Sequence, residues 1–357
     1  MRIIPLNKPK IIMSNPTGKY NYFAWPTVTR LQNGKIAVVA SGFRIRHICP
    51  FGKTVISYSE DEGQTYTAPA PVIDTVLDDR DGGITPFGES GVIVTSFNNT
   101  LDFQRNLPAA TPLDLAYLNT VTPEEEAQAL GSTFRISHDC GVSFGEIFKS
   151  PVTSPHGPVV LKDGSLLWVG STFRADVNSN RLEAHKINEN GSTELVGYIE
   201  GLYENGIPLL FCEPHTFALK DGTLLTHIRV QRTKGAHMFT IYQSKSTDNG
   251  QTWSVPSPLL DPLGGSPPHI FQHSSGMLIC TYGYRQTPFG VKAMFSKDNG
   301  ETWDAGYDIY VNGVSSDLGY PSTVELSDGS MLTVFYAHPA EGAPAVIMQQ
   351  RWTFEEN

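Results

Sequence analysis

One eight-residue pattern occurs four times in this chain of 357 residues. Its form is S-x-D-x-G-x-[ST]-aromatic, and we call each copy a box. The boxes begin at Ser246, Ser296, Ser59 and, most loosely, Ser137. Ser and Asp side chains hydrogen-bond the amides of a turn, and Gly supplies the positive φ that a tight turn needs. A single box would indicate only a turn, but four copies predict a fold built from repeats.

A second repeated feature, a glycine-containing hairpin turn before a hydrophobic strand, sets the number of units. Six such turns occur, at residues 33–34, 88–91, 163–164, 221–222, 275–276 and 328–329. The third unit has only a degenerate box near 188–191, and the sixth has none. Two hairpins per unit give four strands, so six units predict an all-β protein, a six-bladed β-propeller. The missing sixth box is expected if strands from both ends of the chain close the last blade.

The turns leave room for one long insertion. We expect a single domain, residues 1–357, that carries this insertion at about 101–131. Within it, Thr122, Pro123 and Gly131 stand where an N-cap, a first-turn proline and a glycine after the helix end would stand. This pattern predicts a short helix between them.

Composition and charge limit the partners. The net charge of −10 argues against nucleic acid or an anionic membrane surface. It does not exclude an anionic small substrate in a locally basic pocket. No stretch is long enough to span a membrane, and the first residues lack the apolar segment of an export signal. We therefore expect a cytoplasmic protein, or a secreted or periplasmic one whose signal has been removed.

Neither a metal nor a cofactor is indicated by the motifs. The four cysteines are far apart and form no C-x-x-C pair, so neither a zinc site nor a disulfide framework is predicted. No nucleotide-binding loop or metal-ligand motif occurs either. We therefore expect a protein that carries out its function with its own side chains and without a cofactor.

The phase of the repeats predicts where functional residues converge. In a propeller, the innermost strand of each blade begins, and the second strand ends, at one face of the central channel. Seven to nine positions before the hairpin glycines lie Trp25, Asp81, His156, Glu213, His269 and Tyr320. After the second strands lie Arg44, His47, residues 97–99, Arg174, His227, Arg229, Tyr284, Arg285, Tyr336 and His338. Such a ring predicts a functional pocket, although any single member has an inter-blade hydrogen bond as its alternative.

The boxes resemble Asp-boxes, or BNR repeats, and the chain resembles the sialidase superfamily of glycoside hydrolases over essentially its whole length. Residues 212–229 look like the sialidase segment with a catalytic Glu, here Glu213, and then an arginine that binds the substrate carboxylate, here Arg229. Residues 319–329 look like the segment with the tyrosine nucleophile, here Tyr320. The resemblance implies a propeller that hydrolyses glycosides.

The chemistry of sialosides accounts for these residue types. The anomeric carbon bears a carboxylate, so a neutral tyrosine is a better nucleophile than a carboxylate, and a neighbouring Glu takes its proton. Arginines hold the substrate carboxylate by bidentate hydrogen bonds. The third arginine of the family's triad is expected at Arg285 or Lys292, and the sequence leaves the choice open.

Two departures from the family pattern concern the first blade. The family's blade opens with Arg-Ile-Pro, and here Ala24 or Trp25 stands in place of that arginine. The loop that usually carries the acid/base Asp has no carboxylate. Either Arg44 or Arg46 supplies the lost charge and another residue the proton, or the substrate is not an ordinary sialoside.

Other side chains must then supply the proton. Asp81 is the first acid/base candidate and His47 the second, although an Asp beside Gly-Gly is often only a turn former. His156 and His269, each beside prolines, either bind sugar hydroxyls or tie adjacent blades together. Trp25 and Arg44 complete the expected substrate-binding set.

The sequence thus predicts an exo-acting sialidase, or a close relative, that cleaves a terminal acidic sugar with retention through Tyr320. One alternative is an exo-glycosidase or lyase that acts on rhamnose, arabinose or a uronate. Another is a non-catalytic propeller that binds carbohydrate. A hydrogen bond between Tyr320 and Glu213 would favour the enzyme. The sugar, its linkage and the oligomeric state stay open.

Overall fold

The fold was analysed in a computed structural model that describes residues 1–172 and 180–356. Arg174, one of the polar residues expected after the second strands, lies outside the described residues. Six antiparallel sheets make up the structure, in the arrangement of a six-bladed β-propeller. We number the sheets as blades I to VI.

The strands follow one another blade by blade. Two N-terminal strands come first, β1 (Arg2–Pro5) and β2 (Lys10–Met13). Blade I contains β3 (Tyr22–Arg30), β4 (Ile36–Arg44), β5 (Lys53–Ser59) and β6 (Ala70–Ile73). Blade II contains β7 (Arg80–Phe87), β8 (Gly91–Phe97), β9 (Ser132–Ser137) and β10 (Phe148–Ser150). Blade III contains β11 (Val152–Thr153), β12 (Val159–Val160), β13 (Leu166–Thr172), β14 (Leu182–Ile187) and β15 (Thr193–Ile199).

The remaining blades follow the same order. Blade IV contains β16 (Tyr203–Glu204), β17 (Ile207–Ala218), β18 (Leu224–Arg232), β19 (Thr240–Ser246) and β20 (Ser257–Pro258). Blade V contains β21 (Pro268–Gln272), β22 (Leu278–Tyr284), β23 (Gly290–Ser296) and β24 (Asp304–Tyr310). Blade VI contains β25 (Gly319–Glu325), β26 (Met331–Ala337) and β27 (Val346–Glu355).

Blade VI is completed by the other end of the chain. Strand β27 pairs with β26 on one side and with β1 and β2 on the other, in a register that sets Arg2 opposite Glu355. The third and fourth strands of this blade are therefore not consecutive in the chain. This pairing explains why blade VI has no box and confirms the predicted closure.

Each box forms a self-contained turn between the third and fourth strands of its blade. The Ser hydroxyl accepts the Gly amide at 2.8–3.0 Å, and the Asp carboxylate accepts the backbone amide of the following Thr or Ser at 2.8–2.9 Å. A third hydrogen bond, from the Thr or Ser hydroxyl to the same carboxylate, measures 2.5–2.6 Å. The turn amides are thus satisfied locally, whichever blade carries the box.

The core lies between the blades, and β4 shows how the sequence builds it. Residues 36–40 form a continuous buried apolar run in this second strand. Successive side chains point to opposite faces of a strand. Val38 therefore packs with Val334 of blade VI, whereas Val39 packs with Val94 of blade II. A sheet that is covered on both faces needs such an uninterrupted apolar strand.

The insertion in blade II contains three short helices, α1 (Leu101–Arg105), α2 (Pro112–Leu118) and α3 (Pro123–Ala129). The predicted helix is α3, which has Thr122 as its N-cap. Helices α1 and α2 were not predicted. An ion pair between Asp114 of α2 and Arg46 ties the insertion to the loop after β4.

Two further findings concern the described part of the chain. None of its helices is long and apolar enough to cross a membrane. The four cysteines are all free, as the sequence indicated.

Candidate active site

Four innermost strands each contain one residue in the left-handed region of φ, and we call these four positions the strand starts. These are Trp25 (φ 55°), Asp81 (φ 48°), Glu213 (φ 48°) and Tyr320 (φ 49°). Non-glycine residues rarely adopt this conformation, and each one here lies at a β-bulge in its strand. Because such strain concentrates at functional sites, the repeated feature marks this face of the channel as a candidate active site.

Tyr320 and Glu213 meet across the channel. The Tyr320 hydroxyl donates a hydrogen bond of 2.6 Å to Glu213 Oε1, and Arg229 Nη1 lies 2.5 Å from Glu213 Oε2. The same Arg229 nitrogen donates to the Tyr320 oxygen at 3.2 Å. Burial, followed by the negative charge of Glu213, raises the pKa of Tyr320 well above its ordinary value. The phenol is therefore neutral at rest, with an acceptor already in place for its proton.

A second arginine lies near Tyr320. The Arg285 guanidinium is 5.9 Å from the Tyr320 ring centre and donates to the Leu318 carbonyl at 3.1 Å. Phe239 lies between the two arginines, with Arg229 at 4.6 Å and Arg285 at 5.0 Å from its ring centre. The aromatic ring holds both guanidinium groups near the nucleophile candidate.

Asp81 is a buried carboxyl group in the same electrostatic environment. The residue is only 6% exposed, and its Oδ1 atom has no hydrogen-bond partner among the described residues. Burial raises the pKa of Asp81 to about 7, and the charge of Glu213 adds to this effect while Arg80 opposes it. Asp81 is thus able to hold or release a proton near neutral pH.

Trp25 is a buried residue that packs beneath the side chains of the site. Its ring packs edge-on against His47 at 4.9 Å and lies 6.4 Å from the ring of Tyr320. The guanidinium groups of Arg80 and Arg44 lie over it at 4.0 and 4.9 Å. Trp25 itself is almost completely buried. It therefore shapes the pocket chiefly by supporting its neighbours.

Arg44 does not reach the surface of the pocket. Its side chain is 0% exposed and forms a 2.5 Å ion pair with Asp78, which is equally buried. It also donates to Ser41 Oγ and to the His47 carbonyl, both at 2.9 Å. A substrate cannot contact this guanidinium, so the expected substrate-binding role of Arg44 is corrected to an internal one.

Asp317 is the centre of a hydrogen-bond network at the rim. It accepts hydrogen bonds from Tyr22 at 2.8 Å, Tyr336 at 2.9 Å, and His47 and His338 at 3.0 Å. Although burial acts in the opposite direction, the hydrogen bonds from the two histidines keep the pKa of Asp317 well below its ordinary range. The carboxylate is therefore ionised and fully engaged.

His156 and His269 lie deeper in the channel, away from Tyr320. Together with His215 they form a cluster of rings, with centres 4.4–5.2 Å apart. The cluster lines a cavity of about 400 Å³ that also reaches Arg30 and Glu325, at the far ends of β3 and β25. Burial lowers the pKa of all three imidazoles, to about 3 for His215.

These histidines connect blades. The His269 ring accepts the Thr323 amide of the next blade at 3.3 Å, and His156 contacts the Thr27 hydroxyl at 3.0 Å. The described residues contain no group of His, Cys, Asp or Glu side chains arranged to hold a metal ion. These hydrogen bonds favour a role for His156 and His269 in connecting adjacent blades over a role in sugar binding.

Lys292 is directed away from the cluster. Its ammonium group forms a 2.5 Å ion pair with Asp308 on β24, the outermost strand of blade V. Of the two residues considered for the third arginine position, Arg285 alone contacts Tyr320 and its neighbours. The substrate-binding role of Lys292 stays a prediction, and Arg285 is the better placed of the two.

Sequence reasoning missed several residues of this region, among them Asp317, Arg80, Phe239 and His215. Two of them had a usable signal. Arg80 directly precedes Asp81, and His215 follows Glu213 by two positions. Asp317 and Phe239 lie neither before the hairpin glycines nor after the second strands, the two sets of positions from which the site was predicted.

Comparisons with known proteins bear on the fold. No protein-family model matches the sequence, and no curated protein sequence matches it. Several solved structures do match. A protein of unknown function from Dyadobacter fermentans is 19% identical, over 99% of either chain, with a TM-score of 0.77.

The similar structures include enzymes. The NanB sialidase from Streptococcus pneumoniae is 14% identical over 98% of this chain and 71% of its own, with a TM-score of 0.70. The α-L-arabinofuranosidase Arb93A from Fusarium graminearum is 11% identical over 98% of either chain, with a TM-score of 0.63. The chain therefore has the sialidase-like propeller fold, which it shares with glycoside hydrolases of more than one specificity.

Proposed function

We propose that this protein is a retaining exo-glycosidase that removes a terminal acidic sugar of the sialic acid type. The observation that carries the proposal is the 2.6 Å hydrogen bond from Tyr320 to Glu213. A binding protein needs aromatic surfaces and hydroxyl contacts, and has no use for a buried phenol paired with a base. Arg229 and Arg285 provide the positive charge that would hold a sugar carboxylate.

The mechanism uses two displacements. The Tyr320 oxygen attacks the anomeric carbon as its proton passes to Glu213, and the bond to the leaving oxygen breaks. Water then attacks the same carbon, and the Tyr320 oxygen leaves and regains its proton. Two inversions retain the configuration. A second group must protonate the leaving oxygen, and Asp81 and His47 are the two candidates.

A second function, cleavage of a neutral sugar, is favoured by one observation. Ala24 or Trp25 stands at the place where the family has its first arginine, and the nearby Arg44 is buried against Asp78. Two partly exposed arginines, Arg229 and Arg285, rather than three, therefore remain for a carboxylate. The arabinofuranosidase with this fold shows that the propeller accommodates such substrates.

The test is the release of fluorophore from 4-methylumbelliferyl glycosides. Wild type is assayed on the sialoside and on a panel of arabinosides, rhamnosides and uronates. We expect the sialoside to be cleaved, and Tyr320→Phe to lose about 1000-fold or more in kcat/KM while it keeps its unfolding temperature. Preferred cleavage of a neutral glycoside would establish the second function, and full activity of Tyr320→Phe would refute the mechanism.

A further inference from the structure

His47 and Asp317 form a hydrogen-bonded pair at the rim of the pocket. The distance from His47 Nδ1 to Asp317 Oδ1 is 3.0 Å. Since an ionised carboxylate only accepts hydrogen bonds, Nδ1 carries the proton in this contact. The other ring nitrogen, Nε2, has no hydrogen-bond partner in the described part of the chain, and 46% of the side chain is exposed. One nitrogen is thus anchored while the other faces solvent.

The other partners of Asp317 leave it no capacity for a substrate. Tyr22 and His338 donate to one carboxylate oxygen, and Tyr336 donates to the other. His338 also has its second ring nitrogen 2.6 Å from the Ala343 carbonyl. Both nitrogens of this ring face acceptors, so the ring is favoured as a cation, and the hydrogen bond to Asp317 raises the pKa of His338. The carboxylate therefore serves to hold its partners.

Exposure separates the two proton donors that the site offers. Asp81 is 6% exposed and lies among buried side chains. In an exo-acting enzyme the leaving group departs toward solvent, and the water of the second step arrives from there. The proton donor must contact both the leaving group and this water. The half-exposed His47 satisfies this requirement, whereas the buried Asp81 does not.

We propose that His47 is the acid/base catalyst and that Asp317 is the residue that positions it, an inference that rests on the proposed function. In the first step, the proton on His47 Nε2 moves to the leaving oxygen as its bond to the anomeric carbon breaks. In the second step, water gives one proton to Nε2 and its oxygen bonds to that carbon. Asp317 accepts from Nδ1 throughout and keeps Nε2 directed away from it.

The charged groups around His47 determine the pH dependence. Asp317 faces the ring, while Arg44 and Arg80 both donate to the His47 backbone carbonyl. Trp25 and Tyr22 are its aromatic neighbours. Burial lowers the pKa of His47, and the positive charge of Arg80 lowers it further. The hydrogen bond to Asp317 acts in the opposite direction and raises it.

The first step requires protonated His47, so kcat/KM for a poor leaving group should fall as pH rises through a value below about 6.5, the ordinary histidine pKa. Removal of the negative charge in Asp317→Asn should move this fall to still lower pH. A purely structural role of Asp317 would reduce activity without moving the profile.

The experiment compares two leaving groups on the same sugar, 4-methylumbelliferone and lactose, in wild type, His47→Ala, Asp317→Asn and Asp81→Asn. An activated aryl group leaves without a proton, whereas lactose does not. We expect the kcat/KM of His47→Ala to fall by about 100-fold or more on the lactose glycoside. On the aryl glycoside it should fall by less than about tenfold. Sodium azide should restore turnover of the aryl glycoside by this variant and yield a glycosyl azide.

Each outcome decides a different point. If Asp81→Asn shows the leaving-group dependence and azide rescue while His47→Ala does not, the assignment of His47 is overturned. Equal losses on both substrates by His47→Ala, without rescue, would also overturn it. Because His47 lies half-exposed at the rim, its truncation should not prevent folding. If wild type cleaves neither substrate nor any glycoside of the panel, the proposed function itself fails.

Discussion

The box turns and the inner strand starts are both repeated around the propeller, yet they differ in what is repeated. The four boxes share the same residues and the same hydrogen bonds, with distances that agree within 0.2 Å. The strand starts share only a backbone conformation: φ lies between 48° and 55° at Trp25, Asp81, Glu213 and Tyr320. The boxes therefore repeat the same residue types. The strand starts repeat the same backbone conformation with different residue types.

This difference separates the requirements of fold and function. A box satisfies its own amides at the outer part of a blade, so any blade can use the same sequence. A strand start projects into the shared channel, where each blade must contribute a different group. The comparison predicts that substitutions at strand starts change activity and pH dependence, whereas substitutions in boxes change stability alone.

After Tyr320→Phe, the largest effect on activity is expected for Glu213→Gln. The amide cannot accept the Tyr320 proton, and the ion pair with Arg229 is lost, so we expect kcat/KM to fall by about 100- to 1000-fold. Initial rates on the best glycoside measure the effect, and thermal unfolding of the variant controls for misfolding. Activity within tenfold of wild type would remove Glu213 from the mechanism.

Asp81→Asn should have the next largest effect, on stability and its pH dependence. Burial raises the pKa of Asp81 to about 7, whereas an unfolded Asp titrates at about 3.9. Between these values the folded state keeps a proton that the unfolded state has lost, so this group lowers stability as pH rises from about 4 to about 7. The variant should therefore be more stable than wild type by about 2–4 kcal/mol at pH 8.

Urea unfolding at pH 8 and pH 4.5 measures this gain. We expect it to shrink strongly at the lower pH, where both states of wild type hold the proton. A gain of equal size at both pH values would show that ionisation of Asp81 is not its cause.

A smaller effect is expected for Asp248→Ala in the box of blade IV. The variant loses the hydrogen bonds from the Thr252 amide and hydroxyl and from the Ser246 hydroxyl. These groups are partly solvated, so we expect a loss of about 1 kcal/mol in the free energy of unfolding, with unchanged kcat/KM. A change in kcat/KM beyond twofold would break the separation between box and strand start.

The smallest effect is expected for Lys292→Ala. Its ammonium group pairs with Asp308 near the edge of blade V, and exposed pairs contribute little to stability. We expect kcat/KM within twofold of wild type, and Arg285→Ala serves as the comparison that should lose activity. A loss in Lys292→Ala as large as that in Arg285→Ala would place Lys292 in the substrate-binding set.

The sequence predicted the fold well because its signals are local. A box or a glycine turn needs only neighbouring residues, and the closure of blade VI followed from the absence of one box. Tyr320, Glu213 and Arg229 were predicted because the repeat phase places them on one face. Asp317 was not, since it lies between β24 and β25 and two of its partners, Tyr22 and His47, are 295 and 270 residues away. Nothing in the sequence revealed these pairs.

The most direct test of the account is to identify the residue that forms a covalent bond with the sugar. A fluorinated, slowly released analogue of the best substrate, 2,3-difluoro-N-acetylneuraminic acid for a sialidase, is incubated with wild type. The protein is then digested and analysed by mass spectrometry. The account predicts one added fluorosugar on the peptide that contains Tyr320, and none in Tyr320→Phe. An adduct on Glu213, or turnover with inversion and no adduct, would contradict it.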